Sequence, residues 1–341
     1  MTAETGSPVR APLRLVALAR TLFLRVGVLP FFLVAALIVF TVASPQFLTA
    51  QNIVNVARQS VYLVLVSLGQ MIVLLTGGFD LAVGTTIALT SVLSAIIMTS
   101  IMPSMPEQVA LIIAIGCLGA MAVALMIGLV NGTGVAVFGV SPFIMTLGVQ
   151  SVGAGAALFL TGGVPVTGFP RAFGDTFGFG RIMGVPVPVA VAIAAIAVVA
   201  LFLYGTRVGR HLYAVGGNVK AAKLSGINTT RTLLFAYGAS ALLAAIAGLL
   251  LTARVESGEA NLGGTIALES IAACVIGGVS LRGGIGRVES VVLGAFFIVL
   301  VQNGMNLMQI GSYMQMVLLG TLLILAVIVD QIRYRLIIGA S

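Results

Sequence analysis

Apolar residues in this chain come in long unbroken runs, with short polar clusters between them. Ten runs have helical character: residues 26–43, 53–75, 81–101, 109–130, 143–160, 187–204, 232–251, 266–280, 288–308 and 313–329. A helix of about 20 apolar residues matches the hydrocarbon thickness of a bilayer. At that depth no water is available to the backbone, and a helix satisfies its own N–H and C=O groups. The breaks carry turn chemistry. Residues 44–52 and 102–108 contain prolines, 131–142 is Gly-rich and uncharged, and 161–186 is a long Gly/Pro-rich loop. Residues 252–265 are polar, and 282–287 read RGGIGR. The pattern predicts an all-α integral membrane protein of about ten transmembrane helices. Its parts are an N-terminal segment 1–25, one membrane domain 26–332 and a tail 333–341. The first run is longer than a signal-peptide core and lacks a small-x-small cleavage site, so it reads as a retained span.

The longest charged interruption is 205–231, GTRVGRHLYAVGGNVKAAKLSGINTTR, which holds five basic residues and the single histidine, His211. Inside it a short helix is marked at both ends. Asn218 is a good N-cap, because its side chain accepts from the free N–H groups of the first turn. Gly226 is placed to close the helix in the left-handed conformation. Two readings stand open: a part presented to another molecule, or an ordinary basic loop.

Charge placement sets orientation. Of 341 residues, 60% are hydrophobic and 8% charged, with a net charge of +8; a soluble domain carries about 25% charged residues. With the N-terminus inside, thirteen Lys/Arg fall in inner segments and Arg171, Arg181 and Arg254 in outer ones, while Arg58 lies within the second span. This is the positive-inside pattern. It accounts for the basic charge without nucleic acid, puts 205–231 in the cytoplasm and 161–186 outside, and leaves both termini cytoplasmic. Cys117 and Cys274 lie inside apolar runs, so neither a disulfide framework nor a metal site is indicated.

A duplication is visible. Residues 86–91 read TIALTS and 265–270 read TIALES, each after a Gly-rich polar break. The matched spans are five apart, so the copies run in opposite directions, the plan of an inverted repeat of two five-helix halves.

Polar residues within the spans are few. Asp80 in GGFDLAVG either caps the third span or faces a pathway, since an intramembrane carboxylate needs a partner or a cavity. Glu269 is its counterpart in the second half. Gln302, Asn303 and Asn306 share the ninth span; neutral amides suit an uncharged polyol, and they equally suit hydrogen bonding between helices. Together these five are the candidate translocation pathway. No GxxxxGK[ST], HExxH or GxSxG motif occurs, so neither ATP binding of the usual kind nor intramembrane hydrolysis is indicated. No catalytic residue, cofactor or metal is expected on this chain.

GRHLYAVGGNVKAAKLSGIN at 209–228 resembles the cytoplasmic signature of bacterial ribose-type ABC sugar permeases. GGFDLAVG at 77–84, SPFIMTLG at 141–148, GVPVP at 184–188, IAACVIGGVSLRGGIGR at 271–287 and QNGMNLM at 302–308 agree in order. The chain departs from the family's pattern at Ala82, where serine is common, and in ALESIAA, where Ala267 replaces an acid and Glu269 an aspartate. Both departures bear on the substrate. The resemblance implies a type II-like importer permease in the inner membrane, acting as a homodimer and embedded in lipid. It further implies a cytoplasmic ATPase subunit with tandem nucleotide-binding domains that carries the ATP and Mg, and an external solute-binding protein that delivers a sugar. Asn218–Ser225 would be the coupling helix, with Gly216, Gly217, Asn218, Lys220, Ala221, Ala222, Leu224, Ser225 and Gly226 forming the contact with the ATPase. The rivals are a stand-alone facilitator or secondary carrier, a membrane enzyme and a non-transporting scaffold.

Overall fold

The computed structural model describes residues 29–338, so the predicted segment 1–25 and its arginines lie outside the described residues. Every predicted run holds a helix. In chain order these are α1 (Leu29–Ala43), α2 (Ala50–Leu75), α3 (Val83–Ile101), α4 (Val109–Ala136), α5 (Pro142–Thr161), α7 (Val187–Gly205), α10 (Thr229–Val255), α11 (Ile266–Ile276), α12 (Val288–Leu307) and α13 (Ser312–Ile338). Seven of these are long and apolar enough to cross a bilayer. Leu29–Ala43, Ile266–Ile276 and the apolar part of α13, Ser312–Leu325, are shorter. Three further helices lie between the runs: α6 (Arg171–Phe173), α8 (Arg207–Gly217) and α9 (Val219–Leu224).

α2 is the central post. From Ser60 to Thr76 every residue is buried, which is what a helix apolar on all faces requires. α10, α12, α11 and α7 pack around it. Only Thr146, Gly153 and Ala157 of α5 are buried, and Phe143, Ile144 and Phe159 lie on its exposed apolar surface.

Three boundaries differ from expectation for physical reasons. α4 runs on through 131–136, read above as loop, because its glycines serve packing. A Cβ on Gly128 would lie 2.6 Å from the Tyr237 carbonyl oxygen, and one on Gly132 3.0 Å from Leu234 Cα, so the bare backbone brings α4 against α10. α11 stops at Ile276, four residues short of the predicted end. Gly278 has φ +82° and Val279 N–H returns to the Cys274 carbonyl at 2.9 Å, a left-handed helix stop. α13 continues to Ile338, so most of the predicted tail is helix, and 339–341 lie outside the described residues.

The stretch 161–186 is ordered rather than a bare loop. It holds α6, a π-helical turn at Gly174–Gly178, and the antiparallel pair β1 (Arg181–Ile182) and β2 (Val185–Pro186). Val166 and Gly258 exchange backbone hydrogen bonds at 2.9 and 2.8 Å. This cap closes the end of the bundle opposite α8, α9 and the RGGIGR turn, which form the basic end.

Candidate functional site

α9 is built as a capped peg. The Asn218 Oδ1 accepts from Ala221 N–H at 3.0 Å. At the other end Gly226 has φ +80°. Ile227 N–H reaches the Ala222 carbonyl and Gly226 N–H the Lys223 carbonyl, both at 3.0 Å. Both ends are thus sealed as the sequence predicted. Ala222 faces inward at 4% exposure, whereas Leu224 is 90% exposed. Lys220, Ala221 and Ser225 are exposed as well. The short capped helix thus displays Leu224 and both of its lysines at the surface.

The seat of this peg was not read from the sequence. Gly216 and Gly217 are the last turn of α8, not part of the loop. α8 ends in a junction made of backbone. Gly284 N–H donates to the Leu75 carbonyl, the last residue of α2, at 2.9 Å. A Cβ on Gly283 would sit 2.8 Å from Gly77 N and 2.9 Å from Gly216 Cα. Gly283 and Gly284 have φ of +90° and +74°, the left-handed region that glycine enters without strain. Three segments therefore meet with no side chain between them: the exit of α2, the last turn of α8 and the RGGIGR turn. Side chains bolt the rim. Tyr213 Oη donates to the Gly286 carbonyl at 2.9 Å. Tyr204 Oη donates to Glu289 Oε2 at 2.7 Å and accepts from Val288 N–H at 2.9 Å. The repeated glycines were the available signal; their convergence was not, because it joins residues some 70 and 140 positions apart.

Just beyond Leu75 the chain unwinds into the break that holds Asp80. Asp80 is buried at 2% exposure. Its Oδ1 accepts from Ala82 N–H at 3.1 Å and its Oδ2 from Ser240 Oγ of α10 at 2.8 Å. The Gln70 amide of α2, oriented to match, donates to the Asp80 carbonyl at 2.9 Å and accepts from its N–H at 3.3 Å. Tyr237 Oη donates to the Phe79 carbonyl at 3.2 Å. Asp80 thus staples the α2–α3 break to α10. Ser240 lies eleven residues into α10, about 16 Å along it.

The other pathway candidates do not converge. Asn303 is buried and pairs reciprocally with Asn52, at 2.8 and 3.0 Å, closing α12 on the start of α2. Asn306 is exposed and accepts from Gln315 Nε2 at 2.7 Å, while Gln302 is half-buried. Glu269 sits in the first turn of α11, accepts from Thr265 Oγ1 at 2.8 Å, and lines a groove of about 140 Å³ with Leu268, Ile298, Met316 and Leu319. Of the five, Glu269, Gln302 and Asn306 reach accessible surface. No group of three or more His, Cys, Asp or Glu able to hold a metal occurs among the described residues.

The staple makes a measurable prediction. Asp80→Ala orphans the Ser240 hydroxyl and the Ala82 N–H, each worth about 1–3 kcal/mol when buried. A loss of about 2–6 kcal/mol should appear as a lowered unfolding midpoint of the detergent-purified protein, and Asp80→Asn should lose less. Wild-type melting of Asp80→Ala would refute the role.

A mostly buried central helix and seven helices long and apolar enough to cross a bilayer mark a multi-pass membrane protein. Residues 52–327 match the family described as branched-chain amino acid transport system / permease component, and the chain belongs to it. It is 37% identical over 296 residues to the ribose import permease protein RbsC of Bacillus subtilis (strain 168), covering 86% of this chain and 89% of that protein. The ribose import permease protein RbsC of Escherichia coli (strain K12) is 37% identical over 305 residues, covering 87% and 92%. The galactose/methyl galactoside import permease protein MglC of Haemophilus influenzae is 34% identical over 314 residues, covering 89% and 93%. No solved structure matches the chain.

Proposed function

We propose that this chain is the membrane-spanning subunit of an ABC importer for a monosaccharide or similar small polyol in the bacterial cytoplasmic membrane. Two copies pair in the bilayer. A cytoplasmic ATPase with tandem nucleotide-binding domains supplies the energy, with ATP and Mg bound there. An external binding protein delivers the solute. Both termini and the basic end face the cytoplasm, in keeping with the distribution of Lys and Arg.

The observation that carries this reading is α9, a sealed helix with Leu224 displayed and its root fixed in the glycine junction. A short rigid helix hands a partner's rigid-body movement onward, where a floppy loop absorbs it. From α9 the movement passes through α8 to the exit of α2 and the stapled break. The cargoes for which the relatives are named, ribose and galactose, support a sugar substrate.

The reading also includes the inverted repeat. One offset of 179 residues, 86 to 265, relates α2 to α10, Thr49 to Asn228 and Val109 to Val288. Thr49 and Asn228 are both N-caps, accepting from Asn52 and Arg231 N–H at 3.3 and 2.9 Å. At the same offset Gly84 corresponds to Gly263, and these two touch. A Cβ on Gly84 would lie 2.7 Å from the Gly263 carbonyl oxygen, and one on Gly263 3.0 Å from that of Gly84. Contact between equivalent positions supports a two-fold axis that passes close to them.

Extraction of tagged permease in mild detergent should bring down a stoichiometric ATPase, whose hydrolysis rises when sugar-loaded binding protein is added. Transport without any associated ATPase would favour a facilitator and overturn the proposal.

A further inference from the structure

At the capped end of the bundle, opposite α9, lies a cluster that transport coupling does not use. Arg58 of α2 and Arg254 of α10 are both half-buried. Beside them Tyr62 is 7% exposed. Its hydroxyl and the Arg58 Nε are buried and meet no hydrogen-bond partner of good geometry. The Arg254 guanidinium is the neighbour of that hydroxyl, and the Arg58 charge reaches it as well. The cap roofs the place: a Cβ on Gly178 would sit 3.1 Å from Arg254 Cα.

Asp175, Glu256 and Glu259 share this end of the bundle. Glu259 accepts from Ser257 Oγ at 2.8 Å, and its N–H donates to Ser91 Oγ. The Glu256 Oε1 lies against Gly174, 3.0 Å from where its Cβ would be. Neither Arg58 nor Arg254 forms a salt bridge within 4.0 Å among the described residues.

Arginine donates and never accepts, and its charge is permanent. Arg254 lies within donating reach of the phenol oxygen, yet neither guanidinium has a carboxylate within 4.0 Å among the described residues, so the three side chains form a donor-rich cluster whose positive charge is not balanced there. Charges and donors at such depth are held by a partner, and the partner must be acceptor-rich and negative.

We propose that Arg58, Arg254 and Tyr62 form a binding site for an oxyanion, a phosphate or carboxylate carried by a lipid headgroup or by a small solute. The planar guanidinium fork matches both groups in a bidentate manner, and the Tyr62 hydroxyl donates a further bond. The site does not depend on the coupling role of α9.

The test uses the assembled permease complex. One arm follows its melting in neutral detergent, after delipidation, as inorganic phosphate is titrated at constant ionic strength. The other compares nanodiscs of phosphatidylcholine with nanodiscs containing phosphatidylglycerol. The wild type should melt several degrees higher with at least one of the two anions, and Arg58→Gln and Arg254→Gln should need at least tenfold more anion for the same shift. Tyr62→Phe keeps the packing and should weaken the response by a smaller factor, which preserves the test if an arginine variant fails to assemble. A response to phosphatidylglycerol alone assigns the site to lipid. A response to phosphate alone assigns it to a soluble anion and implies a negatively charged cargo. No response in the wild type, or equal responses in wild type and variants, overturns the proposal.

Discussion

Replacing Gly216 with valine is expected to bring ATP-driven uptake to background while the protein still reaches the membrane. The Cβ alone would fall inside the van der Waals sphere of the Leu75 carbonyl oxygen and 2.5 Å from Gly284 N. Both obstacles are backbone, so no side chain can swing aside. The Gly284–Leu75 hydrogen bond would break and α8 would lift from the exit of α2. Overpacking of this kind costs about 1–3 kcal/mol, to which the lost hydrogen bond adds about 1 kcal/mol. The larger effect is mechanical, because the peg loses its fixed connection to the bundle. The control is one residue away. A Cβ on Gly217 meets nothing within 4 Å, so Gly217→Ala should retain most uptake. Radiolabelled sugar uptake at matched membrane levels decides it, and wild-type uptake by Gly216→Val would mean that the junction transmits nothing.

The second large effect is expected at Leu224. Leu224→Asp puts a charge on an outward side chain of α9 and removes almost no contact within the chain, since the residue is 90% exposed. The variant should insert, melt like the wild type and fail to retain the ATPase during purification, with uptake falling at least tenfold. Ala222→Glu behaves differently. Ala222 is 4% exposed, so a carboxylate there disturbs the seat of the helix and lowers stability together with uptake. The contrast separates the face of α9 that docks from the face that supports. An ATPase that stays bound to the Leu224→Asp permease would remove α9 from the interface.

All ten apolar runs contain helices because the bilayer constraint is strong and local: run length and backbone satisfaction are written residue by residue. The ends of α9 were legible for the same reason, since Asn218 and Gly226 act within four residues of themselves. What stayed hidden depends on distant partners. Asn303 reads as a polar residue of a span until Asn52 is seen beside it, and the Gly-rich 131–136 reads as a loop until Tyr237 and Leu234 are seen pressing on it. The amphipathic α8 was read as part of a basic loop, because Gly216 and Gly217 carry turn signals, and here Gly216 serves close approach instead. Asp80 carried two open readings from sequence, a cap on the third span or a pathway residue; the helix cap is Ala82, and the bond from Ser240 comes from another helix, out of reach of any local pattern.

The short length of α11 bears on how the chain is made. Eleven residues span about 16 Å, roughly half of the 30 Å hydrocarbon core. A segment of that size gives an insertion machinery little to hold, and its upper end would leave unpaired backbone groups facing lipid. Its walls are α2, α12 and α13. α12 and α13 are synthesised after α11, so α11 waits for its own successors before its burial is complete. Biogenesis therefore has an order, in which the long helices enter first and α11 is drawn in last, and substitutions on its buried face will yield chains that are threaded through the membrane yet left unfinished.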